Sequence, residues 1–383
     1  MKKNRLLFGL IVLCVVLSGC SKKTEVKESA ENSQASETAN ESVKEAIENI
    51  ILSEKESENQ SVESEEAAET EDAESDETAE KKDKYILVEV GILNGPSGLP
   101  FLNQMKNKNL LNGYKLTYDT YAEPSLVIPQ LLKNEVQITV LPPNVAAKIY
   151  NKNNGAIVMT AVCGNGMLSL ITRNKEIKSF EELKGQTVYV AGSGATPEYI
   201  ARYLLKQNEI EVGEGEEKVN LDFTIPTAAL VSSIIEDKIQ NVIVPEPFAT
   251  SIKQKLNNEC SVINIQSEYA KFQKEAKNFP MSVIVVNKEF ARENYDFVKK
   301  FMKEYQKTLE WTVANPIKTA LNAEEENFSL KKEVIIKAIP NCAFTYIPAK
   351  KAKKDIEALL EIFLQNEETS IGGTLPDEGF YFK

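Results

Sequence analysis

Between Ser21 and Asp83 the chain carries no aromatic residue, glycine or proline, and it sets 21 acidic against 7 basic residues. A segment so charged and so short of large apolar side chains cannot bury enough surface to offset the conformational entropy of ordering it. Residues 21–83 are therefore predicted to be a disordered acidic linker, and whatever folds must come from residues 84–383. The charge divides in the same place. The linker holds −14 and Lys2, Lys3 and Arg5 hold +3, which leaves −1 for residues 84–383 out of a total of −12. A nearly neutral body offers no electrostatic footprint for nucleic acid, and none is expected as a partner.

Ahead of the linker, a basic start is followed by an apolar run from Leu6 to Leu17 and then by small residues. That is the form of a secretory signal, and the run is too short to span a bilayer. The ending Leu17-Ser18-Gly19-Cys20 resembles the bacterial lipoprotein box. This implies that residues 1–20 are a lipoprotein signal peptide, with Cys20 the lipidated first residue of the mature chain. An uncleaved interfacial anchor is the alternative. The expected location is the extracytoplasmic side of the cell membrane, on a flexible tether with a reach of roughly 40 to 45 Å.

The body alternates strand-like and helix-like patterns, the mark of an α/β fold. Strands are predicted at 85–92, 116–121, 137–140, 156–162, 167–172, 187–191, 219–225, 241–244 and 261–265, and the chain from Glu289 onward reads as nearly all helical. One stretch carries more than periodicity. Thr187–Ala191 is a short β-rich run, Gly192-Ser193-Gly194-Ala195 frees the backbone, and Thr196-Pro197 suits a helix start, with Thr196 as the natural N-cap. A strand, a glycine turn and a helix N-terminus place free N–H groups at the carboxyl edge of a sheet, where open α/β sheets bind small ligands. The same turn also occurs in α/β proteins with nothing bound. It is neither a Walker loop nor G-x-G-x-x-G, because no Gly-Lys-Ser/Thr follows and Pro197 stands in the third glycine's place.

The chain contains no histidine. Ser/His/Asp and Cys/His triads, HExxH zinc sites and histidine proton shuttles are thereby excluded. The body's cysteines, Cys163, Cys260 and Cys342, lack CxxC spacing and read as small buried hydrophobes with room for one disulfide. Among the carboxylates, Glu246 stands apart. It follows the strand at 241–244 and lies between Pro245 and Pro247, which suits either a ligand-facing acid or an acid stabilised at a helix N-terminus. One internal echo, Ser169–Glu176 against Val283–Glu289, pairs two apolar strands that exit through Asn-Lys-Glu. It suggests two hinge strands side by side, with the chain leaving a first lobe near Arg173 and returning near Val285.

The order of Ser97–Phe101, Gln130-Leu131-Leu132, Ser179–Val188, Gly192–Thr196, Pro245–Phe248 and Trp311–Pro316 resembles the substrate-binding proteins of ABC importers. Within these it is similar to the nitrate/sulfonate/taurine and thiamine-precursor group. The resemblance implies a two-lobed type II periplasmic-binding-protein fold, with lobe 1 at 84–173 and 285–383 and lobe 2 at 174–284. It implies no catalysis and no cofactor or metal. Ligand would be held between Asn94, Ser97, Leu99 and Asn144 of lobe 1 and Gly192, Ser193, Gly194, Ala195, Thr196 and Glu246 of lobe 2, with Asn165 near the crossover. The expected partners are a small molecule, either an organic anion or an amine-bearing heteroaromatic, and ABC permease subunits, and the expected state is a monomer. Gln137–Val140 departs from the Asp and small residue often found in this strand in the family, which leaves both ligand classes open. A sensor or interaction lipoprotein of the same fold is the alternative function. Cys20→Ser is expected to release the protein from membranes or leave it unprocessed; normal attachment on membrane fractionation would refute the lipoprotein assignment.

Overall fold

Branched apolar residues dominate β1 (Ile86–Leu93) and β3 (Ile138–Leu141), whereas β2 (Tyr114–Tyr121) mixes tyrosines with polar residues and lies at the sheet's edge. The computed structural model describes residues 85–106 and 113–383, so the signal sequence, Cys20 and the linker lie outside the described residues. β1 pairs in parallel with both β2 and β3. Its alternation sends Val88, Val90 and Ile92 to one face, where they meet Phe101 of the helix Leu99–Lys106 and Phe301 and Tyr305 of the helix Tyr295–Ala314. The opposite face of this sheet is covered by Val127 and Leu131 of the helix Pro124–Leu132 and by Ala146 and Ala147 of the helix Pro143–Lys152.

The chain continues through β4 (Ile157–Asn165), β5 (Leu168–Thr172), β6 (Thr187–Val190), β7 (Glu211–Val212), β8 (Lys218–Asp222), β9 (Asn241–Pro245), β10 (Ser261–Asn264), β11 (Pro280–Asn287) and β12 (Phe344–Pro348). Two six-stranded sheets result, in the orders β12-β4-β11-β3-β1-β2 and β10-β5-β9-β6-β8-β7. Helices cover both, which gives the two α/β lobes that the sequence leads one to expect. Strand β12, within the stretch read as helical, and the short β7 are additions to that reading. The three body cysteines are unpaired, so there is no disulfide among them.

The crossings lie elsewhere than the echo suggests. The chain leaves the first sheet after Asn165 and joins the second at Leu168, and it returns between the helix Ile265–Lys271 and Pro280. The echoed strands β5 and β11 therefore belong to different sheets and are not neighbours, and Arg173 and Val285 lie within or just past those sheets rather than at the crossings. An Asn-Lys-Glu exit marks where a strand meets solvent. A crossing instead needs backbone that can pass tightly between two sheets, and Gly166 supplies it, with its N–H donating to the Phe279 carbonyl at 3.0 Å to bind the two crossings together.

The helix Ala349–Asn366 joins the lobes from outside. Ile356, Leu359, Leu360 and Phe363 belong to an apolar cluster that runs from the first sheet into Tyr199, Ile200 and Leu204 of the helix Thr196–Gln207. The Tyr199 and Phe363 rings lie 4.5 Å apart.

A Cβ at Gly166 would stand 2.2 Å from Gln266 Oε1 and 2.6 Å from Gln266 Cβ. Gln266 has work to do there, donating to the Lys277 carbonyl at 2.6 Å and accepting from the Phe279 N–H at 3.3 Å. Gly166→Ala is expected to cost about 1–3 kcal/mol as an overpacking change, measured by urea unfolding; wild-type stability would show that the crossing has slack.

Candidate functional site

Strand register fixes where the loops of each sheet emerge. Leu141 of β3, Val283 of β11 and Val162 of β4 stand in one row, and β3 and β4 both run antiparallel to β11. They therefore run parallel to each other, and the chain beyond each, carrying Asn144 and Asn165, emerges at one edge of the sheet. β1 is parallel to β3, so Asn94 emerges there too. In the second sheet β6 and β9 are parallel, with Val190 beside Ile243, so Gly192–Thr196 and Glu246 share an edge. β5 enters at that edge, Leu168 beside Pro245. Both carboxyl edges thus meet at the crossing Gly166-Met167.

Around it a chain of contacts links the two lobes. The Glu246 N–H donates to the Met167 carbonyl at 2.9 Å, and the Asn165 N–H to the Ala343 carbonyl at 3.1 Å. The Thr250 N–H donates to Glu246 Oε2 at 3.1 Å, and Asn341 Nδ2 donates to Thr250 Oγ1 at 3.2 Å. Glu246 is 5 % exposed. Burial is the largest influence on its carboxyl and raises its pKa, only partly opposed by the Thr250 hydrogen bonds and the charge of Lys253. Cys342, 1 % exposed, has its thiol pushed up by burial first and by the Glu246 charge second. Asn165 Oδ1 is buried and has no hydrogen-bond partner among the described residues.

The other expected residues divide. Asn144 is 6 % exposed in the first turn of its helix. Ser97 is half-buried in the turn Pro96–Gly98. Asn94 is turned to its own lobe, its Oδ1 accepting from the Ser329 N–H at 3.1 Å and Oγ at 2.8 Å. Leu99 sits at 1 % exposure in the apolar core of the first sheet.

Gly192, Ser193 and Gly194 are exposed, with φ of +80° at Gly192 and +69° at Gly194. The helix starts one residue earlier than expected: Ala195 is the N-cap, with no side-chain capping bond, and Thr196 is the first helical residue, 3 % exposed. The expectation of free N–H donors needs correcting at one position. The Gly194 N–H donates to Glu198 Oε2 at 2.8 Å, and Arg202 Nε holds Glu198 Oε1 at 2.8 Å. An acid in the first turn satisfies that one donor from within the helix. Glu198, Thr250, Asn341 and Cys342 were not anticipated. Of these only Glu198 had a local signal, an acid three residues after the N-cap.

Two α/β lobes joined by paired crossings, with loops from both carboxyl edges meeting between them, define the type II periplasmic-binding-protein fold. The sequence model described as NMT1/THI5 like matches residues 112–319, more than half of the chain, and the protein belongs to that family. No curated protein sequence matches it. Among solved structures it is similar to an ABC transporter from Parabacteroides distasonis, with 23 % identity and a TM-score of 0.64 over 78 % of this chain and 99 % of that one. The periplasmic aliphatic sulphonate binding protein SsuA from Escherichia coli is similar at 13 % identity and a TM-score of 0.58, covering 76 % of this chain and 92 % of that one. The periplasmic nitrate-binding protein NrtA from Synechocystis PCC 6803 is similar at 13 % identity and a TM-score of 0.51, covering 75 % of this chain and 84 % of that one.

A carboxyl whose folded pKa is raised binds its proton more tightly in the folded state than in the unfolded chain, so folding loses stability as pH rises from the ordinary value near 4.5 through the raised one. Glu246→Gln keeps an oxygen for the Thr250 N–H and removes the charge. The ligand-free variant is expected to melt above the wild type at neutral pH, with the gap closing as pH falls toward 4.5. A gap independent of pH would contradict a buried Glu246 whose carboxyl pKa is raised by desolvation.

Proposed function

We propose that the protein is an extracytoplasmic solute-binding component of an ABC importer, held on the membrane by a lipid at Cys20. It captures a small molecule between its lobes and delivers it to permease subunits. Lobe 1 residues 84–165 and 280–383 would move against lobe 2 about the paired crossings, and ligand touching both would stabilise the closed state. Family membership and the likeness of fold to binding proteins support this reading, and with no histidine in the chain it is not an enzyme of the triad or histidine-shuttle kinds.

The observation that carries the choice of ligand is the surplus of acceptors at the crossing. Glu246 is a buried carboxylate, and Asn165 offers a buried oxygen without a donor, a costly arrangement unless a ligand supplies one. In the glycine loop the Gly194 N–H is already given to Glu198, which leaves an anion one donor fewer there. Of the two classes the sequence left open, these groups favour the amine-bearing heteroaromatic over the organic anion, with Asn144, Ser97 and Thr196 lining the remainder of the cleft.

Native mass spectrometry of the protein as purified is expected to show a bound small molecule, and calorimetry with that molecule should find Glu246→Gln weaker by at least about tenfold, roughly 1.4 kcal/mol. An anion in the spectrum, or unchanged affinity in the variant, would overturn the assignment.

A further inference from the structure

The helix Tyr295–Ala314 commits Phe297, Phe301, Tyr305 and Leu309 to the core of lobe 1. Its outer face takes no part in the cleft. There Tyr295, Lys299, Lys303, Lys307 and Trp311 recur every four residues with Lys300 beside them, and all six are exposed. At 1.5 Å per residue the two aromatic residues stand about 24 Å apart, with four ammonium groups between them.

Lys299 lies over the Tyr295 ring at 5.3 Å, and Lys307 pairs with Glu304 at 2.8 Å. Lys299, Lys300 and Lys303 have no ion pair among the described residues. The acids nearby are Asp296, in the first turn at the positive end of the helix dipole, Glu304, and Glu310, which accepts from Gln306 at 3.0 Å. Positive charge is thus concentrated in the middle of the helix. Beside Trp311 opens a cavity of about 490 Å³ whose walls include Lys106, Thr308 and Asn322. Lys106 is already held by Glu325 and Glu326, so the cavity adds shape rather than charge.

Tryptophan and tyrosine rings settle at the headgroup level of a bilayer, and lysines beside them gain from anionic lipid. A body of net −1 would not be drawn to such a surface by its overall charge, so the local pattern must do it. We propose that this face docks on an anionic phospholipid bilayer and sets the orientation of the body above it. The inference rests on the membrane-tether reading only for proximity, since a tether raises the local concentration of the surface.

Trp311 is the only tryptophan in the chain, so its fluorescence reports this face alone. The full chain is mixed with vesicles of phosphatidylcholine, with or without phosphatidylglycerol. On the anionic vesicles acrylamide quenching of Trp311 is expected to fall about twofold and to recover in high salt, as screened surface attraction requires. The combined variant Lys299→Gln, Lys300→Gln, Lys303→Gln, with its fold checked by melting temperature, should lose that protection. Flotation on neutral vesicles reads the anchor separately. A chain that floats on both lipids with equal Trp311 quenching keeps its anchor and overturns the docking face. A chain that fails to float on neutral lipid yet shields Trp311 on anionic lipid loses the anchor and keeps the face. Protection that survives in the combined variant, or that appears only with nucleic acid or protein added, overturns the proposal.

Discussion

The hydrogen bond from the Gly166 N–H to the Phe279 carbonyl holds two chain crossings side by side, and the arrangement of the body depends on it. Because β3 and β4 run the same way on either side of β11, the loops after β1, β3 and β4 leave the first sheet at one edge. The second sheet repeats the device with β6 and β9. Joining the sheets at these edges brings the loops of both to the crossing. What could be held there depends on the atoms in which the loops end.

Those atoms do not match what a strand–glycine–helix turn suggests in isolation. A helix N-terminus attracts an anion, but here Glu198 from the same helix is that anion, braced by Arg202. An outside anion would have to displace a tethered carboxylate that loses little entropy on binding. Glu246 presents the opposite case. Desolvation disfavours its charge, and within the protein it has the Thr250 bonds and the charge of Lys253 in compensation. A donor arriving from solvent would relieve the very cost that the fold imposes, which is why the proposed ligand choice turns on the same residue as the pH dependence of stability.

The sequence made most of this fold legible, for a physical reason. Strands such as Ile138–Leu141 and Asn241–Pro245 are written mostly in apolar residues, and Glu246 is marked by the prolines on either side. What escaped depends on long-range contact. Thr250 and Asn341 meet across 91 residues of sequence, and nothing local to either predicts the other. Gly166 looks like any glycine until Gln266 is seen to fill the space a Cβ would need. The echo of Asn-Lys-Glu misled because it records a common way of ending a strand, whereas sheet membership is decided by pairing partners. Leu99 misled for a related reason: it follows a loop at the right edge, yet the helical period turns it into the core.

The apolar cluster between the lobes adds a constraint that a picture of two bodies on two strands omits. Tyr199, 6 % exposed, packs at a tilt against Phe363, 0 % exposed, and Tyr199 lies three residues past the start of the helix that follows the glycine loop. Any rotation of lobe 2 that parts these rings exposes apolar surface to water, at a cost that rises with the area uncovered. Lys354 with Glu275, and Asn278 with Asp355, tie the same helix to the return crossing. Opening is therefore cheapest along directions that slide Tyr199 over Phe363 without separating them. In the proposed binding role, the rim furthest from the helix Ala349–Asn366 would gape while the near side stays packed. A ligand entering there would supply only the free-energy difference between the gaping and closed arrangements on its way to Glu246 and Asn165 beside the crossing.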